Sequence, residues 1–261
     1  MQQQELVAAQ FGATASAYLT SAVHAQGADL EQLKRELADL IPADKRAAST
    51  VLDLGCGAGH ASFAAAAVAG TVTAYDLSQE MLDVVAGAAR DRGLGNIVTR
   101  QGAAETLPFA DGTFCAVVSR MSAHHWRSVP AALREMRRVL KPGGKVVLID
   151  IAGAEDPLRD TWLQSVELLR DPSHVRDYTG PAWRAMFEAA GFAAGEIDVS
   201  PVWRIGIEFD SWVKRMRTAP VAVEAIRHLW QFAPAEVGEH YHVQPDGSFD
   251  LEAVMITARA R

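Results

Sequence analysis

The chain has 261 residues, 49% hydrophobic and 22% charged, enough for one elaborated domain with its own core at the usual ~100–200 residues per domain. Its 25 Lys and Arg against 32 Asp and Glu give a formal charge of -7, so no basic surplus stands ready to neutralise a phosphate backbone and no nucleic acid partner is expected. Cys56 and Cys115, the 2 cysteines, are too few for a disulfide framework or a multi-cysteine zinc site, which excludes metal at such a site and points to the cytoplasm.

The first residues, MQQQELVAAQ, lack the basic and apolar regions of a signal peptide, and no stretch approaches the ~18 apolar residues of a membrane span. Residues 1–48 have helical texture, with Leu30, Leu33, Leu37 and Leu40 on one stripe before the break at Pro42, a face that can cover a sheet or a pocket mouth. Residues 50–54 (TVLDL) predict a first buried strand, 55–59 a tight glycine loop, and the alanine-rich 61–69 a helix. A second strand over 71–75 ends at Asp76, and Ser78 with Glu80 opens a helix to about Arg92. Strands follow at 97–100, 114–119 and 145–151, the last two separated by a helix over 129–140 that Lys141-Pro142-Gly143-Gly144 closes as a stop and turn. Beyond Gly153 the pattern predicts helices near 158–169 and 181–190, strands near 202–209 and 251–258, and helices across 210–231.

Strands alternating with helices build a parallel sheet through right-handed crossovers. The expected fold is therefore α/β, Rossmann-like, with a mostly parallel seven-stranded sheet, helices on both faces, an N-terminal helical segment and lid insertions. No repeat, heptad array or linker divides the chain.

The most informative segment is Asp53-Leu54-Gly55-Cys56-Gly57-Ala58-Gly59. A strand that runs into closely spaced glycines lets the backbone approach a ligand where Cβ atoms would collide. Asp76, at the end of the next strand, is placed to accept two hydrogen bonds from a ribose diol. The dinucleotide fingerprint is G-x-G-x-x-G, whereas Gly55, Gly57 and Gly59 are spaced G-x-G-x-G with Asp53 just upstream. A carboxylate there suits a cationic amino-acid moiety better than a pyrophosphate.

In this order and spacing VLDLGCGAG, YDLSQEML, AAETLPFADGTFCAVVS and ALREMRRVLKPGG resemble the class I S-adenosylmethionine-dependent methyltransferases, in the subgroup that includes the ubiquinone and menaquinone biosynthesis enzymes. The resemblance is strong over residues 50–151 and loose in the flanks. It implies S-adenosyl-L-methionine as cofactor, with Gly55, Cys56, Gly57 and Gly59 in the loop along the methionine portion, Asp53 on its ammonium, and Asp76 on the ribose. Leu77 and Met81 would sandwich the adenine. Relatives read Gly-Asp-Ala-Glu where this chain has Gly102-Ala103-Ala104-Glu105, so Ala103 cannot accept from the adenine amine, and adenine must be held by backbone groups, as at Ala104, by stacking, or by a neighbour such as Glu105. The loss costs on the order of 1 kcal/mol. The chain then divides as an N-terminal helical lid over 1–48, a cofactor half over 49–151, and an acceptor lid with sheet completion over 152–261.

Methyl transfer asks the protein to place an acceptor against the methyl carbon, take a proton where the acceptor must lose one, and exclude water. Ser119, at the end of the fourth strand, should lie near the methionine end of the cofactor. His124 and His125 follow as candidate bases, since imidazole titrates near neutrality. His174, Arg176 and Tyr178, in a polar cluster after the next helix, are candidate acceptor contacts, while Tyr18 and His24 offer a second lid, toward the cofactor and the acceptor respectively. Trp203, Trp212 and Trp230 are expected mainly in core packing. The expected partner is a small organic acceptor methylated on O, N or C, with oligomeric state open. The alternatives are a methyltransferase-like module without catalysis and a nicotinamide-dependent oxidoreductase.

Overall fold

The computed structural model describes residues 2–12 and 27–261. In chain order its principal elements are α1 (Gln3–Gly12), α2 (Ala28–Leu40), β1 (Thr50–Leu54), α3 (His60–Ala66), β2 (Thr71–Asp76), α4 (Gln79–Asp91), β3 (Ile97–Gln101), β4 (Phe114–Arg120), α5 (Val129–Val139) and β5 (Leu140–Ile151). Then come α6 (Pro157–Arg170), α7 (Gly180–Ala189), β6 (Ile197–Val199), β7 (Trp203–Ile207), α8 (Phe209–Arg215), α9 (Pro220–Gln231), α10 (Ala235–His240) and β8 (Phe249–Arg259).

The strands form one sheet in the order β3-β2-β1-β4-β5-β8-β6, with β7 also on β8. The first five are mutually parallel and β8 runs antiparallel to β5. The sheet has eight strands where the sequence pattern predicts seven, because the outer edge of β8 carries two partners in succession: β6 pairs with residues 256–258 and β7 with 249–253. The added strand, β6, is three residues long, too short to show a period. The Lys-Pro-Gly-Gly segment also differs from expectation. It enters β5 as a bulged start, with Gly143 at φ 76 and a register shift opposite Phe114 and Ala116.

Alternation along the strands separates two cores. Leu52, Leu54 and Val117 face a layer that holds Leu133 and Met136 of α5 with Trp183 and Phe187 of α7. Val51, Ala116 and Val118 face the opposite layer, where Leu33 and Leu37 of α2 and the alanines of α3 pack. A third cluster, Phe209, Trp212, Ile226, Trp230, Tyr241 and Phe249, builds a helical cap beside β7 and β8. Ser78 caps α4 as expected, its hydroxyl accepting from Met81 N at 3.2 Å. Among the described residues no helix is long and apolar enough to cross a membrane.

The leucine stripe of α2 lies on the sheet, with Leu33 and Leu37 fully buried and Leu40 half-buried. Leu37→Ala should cost about 2–5 kcal/mol in urea unfolding and Leu40→Ala clearly less; equal losses would mean that α2 is not seated as described.

Candidate functional site

Chain connections leave the shared border of β1 and β4 in opposite directions, one through β2 and β3 and the other through β5. The crevice so opened lies at the carboxyl ends of the strands, where ligands of open α/β sheets bind. A cavity of about 1000 Å³, its open mouth included, lies there. Its floor is the glycine loop after β1. The amides of Gly55 and Cys56 both donate to the Tyr75 carbonyl, at 2.8 and 3.1 Å, which fastens the loop to β2. Gly55 sits at φ 69, and a Cβ there would lie 1.9 Å from Ser122 Oγ; at Gly57, φ 50, a Cβ would meet open space. The loop is thus pressed against the β4 side at Gly55 and held clear at Gly57.

Two carboxylates, Asp53 and Asp76, line the cavity beside this loop. Asp53 is fully buried; one oxygen accepts from Ser62 Oγ at 2.5 Å, and Oδ1 has no hydrogen-bond partner among the described residues. Burial, with the Asp76 carboxylate adding to it, pushes Asp53 from 3.8 up to about 7 against the Ser62 bond and Arg120. Asp76 accepts the amides of Gly57 and Ser78, both at 2.9 Å, and burial raises it as well. Leu77 and Met81 form an apolar wall, with Gly102, Ala104 and Glu105 nearby. Burial raises the Cys56 thiol well above its ordinary value, which keeps it protonated and unreactive. Across the mouth runs α1, which presents Gln4, Val7 and Phe11 to the cavity and ties both rims through glutamines: Gln3 to the Ser173 carbonyl at 2.6 Å and Gln4 to Glu105 at 3.3 Å.

A second cavity, of about 1310 Å³, adjoins the first. Phe11, Arg120, Met121 and His125 line both. Its other walls include Trp203, Ile205, Ile207 and Trp212, with Glu167 and Arg170 of α6. Met121 holds φ 52 directly after β4, a strained setting for a side chain with a Cβ and one that clusters at functional sites. Arg120 is paired with Asp29 of α2, both side chains buried.

The adjacent histidines have opposite characters. His124 lies 2.5 Å through Nδ1 from Asp150, whose other oxygen accepts the His124 amide. Burial opposes its charge, but Asp150 prevails and lifts it from 6.5 to about 9. His125, with ring centroid 4.1 Å from that of His124, is driven well below its ordinary value by burial and then by the His124 charge. One is a fixed cation at neutral pH and the other a neutral imidazole.

Of the sequence candidates, Asp53, Gly55, Cys56, Gly57, Asp76, Leu77, Met81, Ala104, Glu105 and His125 line the first cavity; His124 lines the second. Gly59, Ala103 and Ser119 are not on either lining. Gly59 turns the chain into α3 at φ 88, Ala103 offers its carbonyl to Tyr75 Oη, and Ser119 is buried in β4. His174, Arg176 and Tyr178 also lie off both cavities. His174 bonds Gln164 and is pushed down to about 3 by burial, Arg176 pairs with Asp160 at 2.6 Å, and Tyr178 packs on Trp183. Tyr18 and His24 lie outside the described residues. Phe11, Arg120, Met121 and Glu167 are wall residues that the sequence reading did not select, because no local spacing connects them.

The methyltransferase domain family matches residues 52–148. The uncharacterized protein YafE of Escherichia coli (strain K12) is 48% identical over 77% of this chain and 95% of its own length. The uncharacterized methyltransferase YcgJ of Bacillus subtilis (strain 168) is 37% identical over 84% of this chain and 83% of its own. Its crystal structure superposes with TM-score 0.81 at 34% identity, covering 89% of this chain and 98% of that one. A demethylmenaquinone methyltransferase of Mycolicibacterium vanbaalenii is 37% identical over 56% of this chain and 60% of its own.

The charged groups of the site predict two separate pH windows. Because folding raises Asp53 from 3.8 to about 7, the unfolded chain releases that proton first and stability falls as pH rises from about 4 to 7. Asp53→Asn should remove this loss and stabilise the ligand-free protein by roughly 1–3 kcal/mol at pH 8 but little at pH 4. Folding raises His124 from 6.5 to about 9, so its contribution is complete below 6.5 and is lost as pH rises through 9. Urea midpoints of Asp150→Asn should lack that second decline; a wild-type slope above pH 6.5 in the variant would contradict the assignment.

Proposed function

This chain belongs to the class I S-adenosylmethionine-dependent methyltransferases, and from that premise we propose that it methylates a small organic acceptor held in the second cavity. The observation that carries this reading is the sharing of Phe11, Arg120, Met121 and His125 between the two cavities, which sets an acceptor chamber against one end of the cofactor cavity.

The residues present fit the cofactor. Asp53 Oδ1, buried and without a hydrogen-bond partner among the described residues, is an acceptor for a cationic donor, and the α-ammonium of a methionine moiety supplies one. Asp76 keeps lone pairs for the ribose diol beyond the two amides it holds. Leu77 and Met81 offer apolar faces to the adenine, and Ala104 and Glu105 border it in place of the carboxylate that Ala103 lacks. Bound S-adenosylmethionine supplies an electrophilic methyl on a sulfonium, and the displacement is in line.

The protein's remaining tasks are placement, proton removal and exclusion of water. Trp203, Ile205, Ile207 and Trp212 favour an acceptor with an apolar body, consistent with a relative that is named for demethylmenaquinone. Of the histidine pair, His125 is the neutral one and serves as proton acceptor where the acceptor atom carries a hydrogen; His124, held as a cation by Asp150, does not. Within residues 1–48, α1 then acts as a lid while α2 packs on the sheet, with 49–151 as the cofactor half and 152–261 as the acceptor enclosure. The acidic balance of the chain favours a small molecule over nucleic acid, and its free cysteines suit a cytoplasmic setting.

Calorimetric titration with S-adenosylhomocysteine should show binding that Asp76→Ala weakens by about 10–100-fold, the equivalent of 1–3 kcal/mol of lost hydrogen bonding; unchanged affinity would refute the ribose role. With methyl-labelled cofactor and a panel of phenols, quinols, amines and carboxylic acids, label should move to at least one class. Trp203→Ala should then raise the KM for that acceptor several-fold while S-adenosylhomocysteine affinity holds within about twofold. Transfer to no small molecule would end this reading.

A further inference from the structure

The loop after α6 returns beneath the His124–His125 turn and is tied to it through the main chain. The amides of Val175 and Arg176 both donate to the His124 carbonyl, at 2.8 and 3.2 Å. Within this loop Asp171 and Ser173 are buried, at 1% and 0% exposure. Asp171 Oδ1 accepts the Ser173 amide at 2.8 Å and the Ser173 hydroxyl at 2.7 Å. Asp171 Oδ2 has no hydrogen-bond partner among the described residues and lies 3.9 Å from His125 Nε2. On the other side of the ring, His125 Nδ1 is 3.2 Å from the Ser173 carbonyl and 3.3 Å from Ser173 Oγ.

These contacts determine where the His125 proton sits. A carbonyl oxygen only accepts, so Nδ1 must donate to it. The Ser173 hydroxyl hydrogen is committed to Asp171, so Oγ also accepts from Nδ1. The Ser173 carbonyl also accepts from Gln3 Nε2 of α1 at 2.6 Å. Both neighbours of Nδ1 therefore require Nδ1–H, which leaves the lone pair on Nε2.

We propose that Asp171 and Ser173 are positioning residues that lock His125 as the Nδ1–H tautomer, with Nε2 as the proton acceptor between the two cavities. The inference rests on the methyl-transfer reading above and adds the groups that make it chemically specific. The acceptor's bond to hydrogen breaks, its proton goes to Nε2, and its electron pair stays behind as the nucleophile. The positive charge that leaves the sulfonium on methyl transfer reappears as imidazolium, facing the unpartnered Asp171 oxygen. The titratable and charged groups around the ring are His124 on the same turn, Asp171 and the neutral His174 on the loop, and Arg170 at the end of α6. Burial, His124, His174 and Arg170 keep the resting ring neutral, and Asp171 compensates the proton once it arrives.

The test is the ¹⁵N spectrum of the histidine imidazoles in the full chain saturated with S-adenosylhomocysteine, with His125 assigned by its loss in His125→Gln. At pH 7 the wild-type ring should be neutral and protonated on Nδ1 alone. In Asp171→Ala the Ser173 hydroxyl loses its acceptor and becomes free to donate to Nδ1 in competition with the Ser173 carbonyl, so the two tautomers should mix; in Ser173→Ala, where only the carbonyl faces Nδ1, the Nδ1–H signal should move without a change of tautomer. S-adenosylhomocysteine affinity should stay within about twofold in both variants, reporting an intact fold. A wild-type ring protonated on Nε2, an imidazolium at pH 7, or an Asp171→Ala spectrum like the wild type's would overturn the proposal. Failure of wild type to bind S-adenosylhomocysteine would instead overturn the reading on which it rests. With an acceptor in hand, Asp171→Asn should lower kcat at least tenfold for a phenol at unchanged KM, and leave transfer to an already ionised carboxylate unaffected.

Discussion

The structure depends on one topological constraint. β1 lies between β2 and β4, and its connection departs on one side while the chain returns on the other. Two parallel strands whose outgoing loops diverge cannot cover their shared carboxyl end, so a crevice is left there by the path of the backbone and not by any side chain. Everything of functional interest gathers at that gap: the glycine loop, Asp76 at the end of β2, the strained Met121 and the histidine pair after β4. The C-terminal half closes the gap from one side and α1 crosses its mouth.

Stability is given up at this crevice. Asp53 is a buried carboxylate with one oxygen unpaired among the described residues, and its proton affinity is raised because burial and the Asp76 carboxylate outweigh the Ser62 bond and the Arg120 charge. Such a group lowers the stability of the ligand-free protein and increases the gain on binding a cation. The His124–Asp150 pair has the opposite design. Its charge is balanced inside the protein and is not available to a ligand, so its effect is electrostatic: it suppresses the charge on His125, one ring away. Opposite environments on two adjacent residues separate their roles, as they do wherever paired titratable groups must differ.

The β1–α3–β2 region was legible because its signals are local. A β-branched run, three glycines within five residues and an acid at the next strand end are contiguous features, and each acts through the backbone of its own segment. The α2 leucines and the Ser78 cap were legible for the same reason, since period and capping are properties of neighbours in sequence. The walls of the second cavity were not. Polarity alone drew attention to His174, Arg176 and Tyr178, yet each is engaged elsewhere, with Gln164, Asp160 and Trp183 respectively. The residues of that loop that touch the His125 ring or approach it are Ser173 and Asp171, an Asp-Pro-Ser turn that carries no motif. β6 escaped notice because three residues cannot display an alternation.

From the sequence by itself followed the α/β class, the glycine platform, the position of Asp76 and the methyltransferase chemistry, all written in segments whose partners are near in the chain. Only the tertiary structure decided which histidine is charged and which is neutral, which walls the two cavities share, and how β8 accommodates two strands on one edge. Those outcomes rest on contacts between residues 26 to 170 positions apart, such as His124 with Asp150 and Gln3 with Ser173, and on burial, which no local pattern encodes.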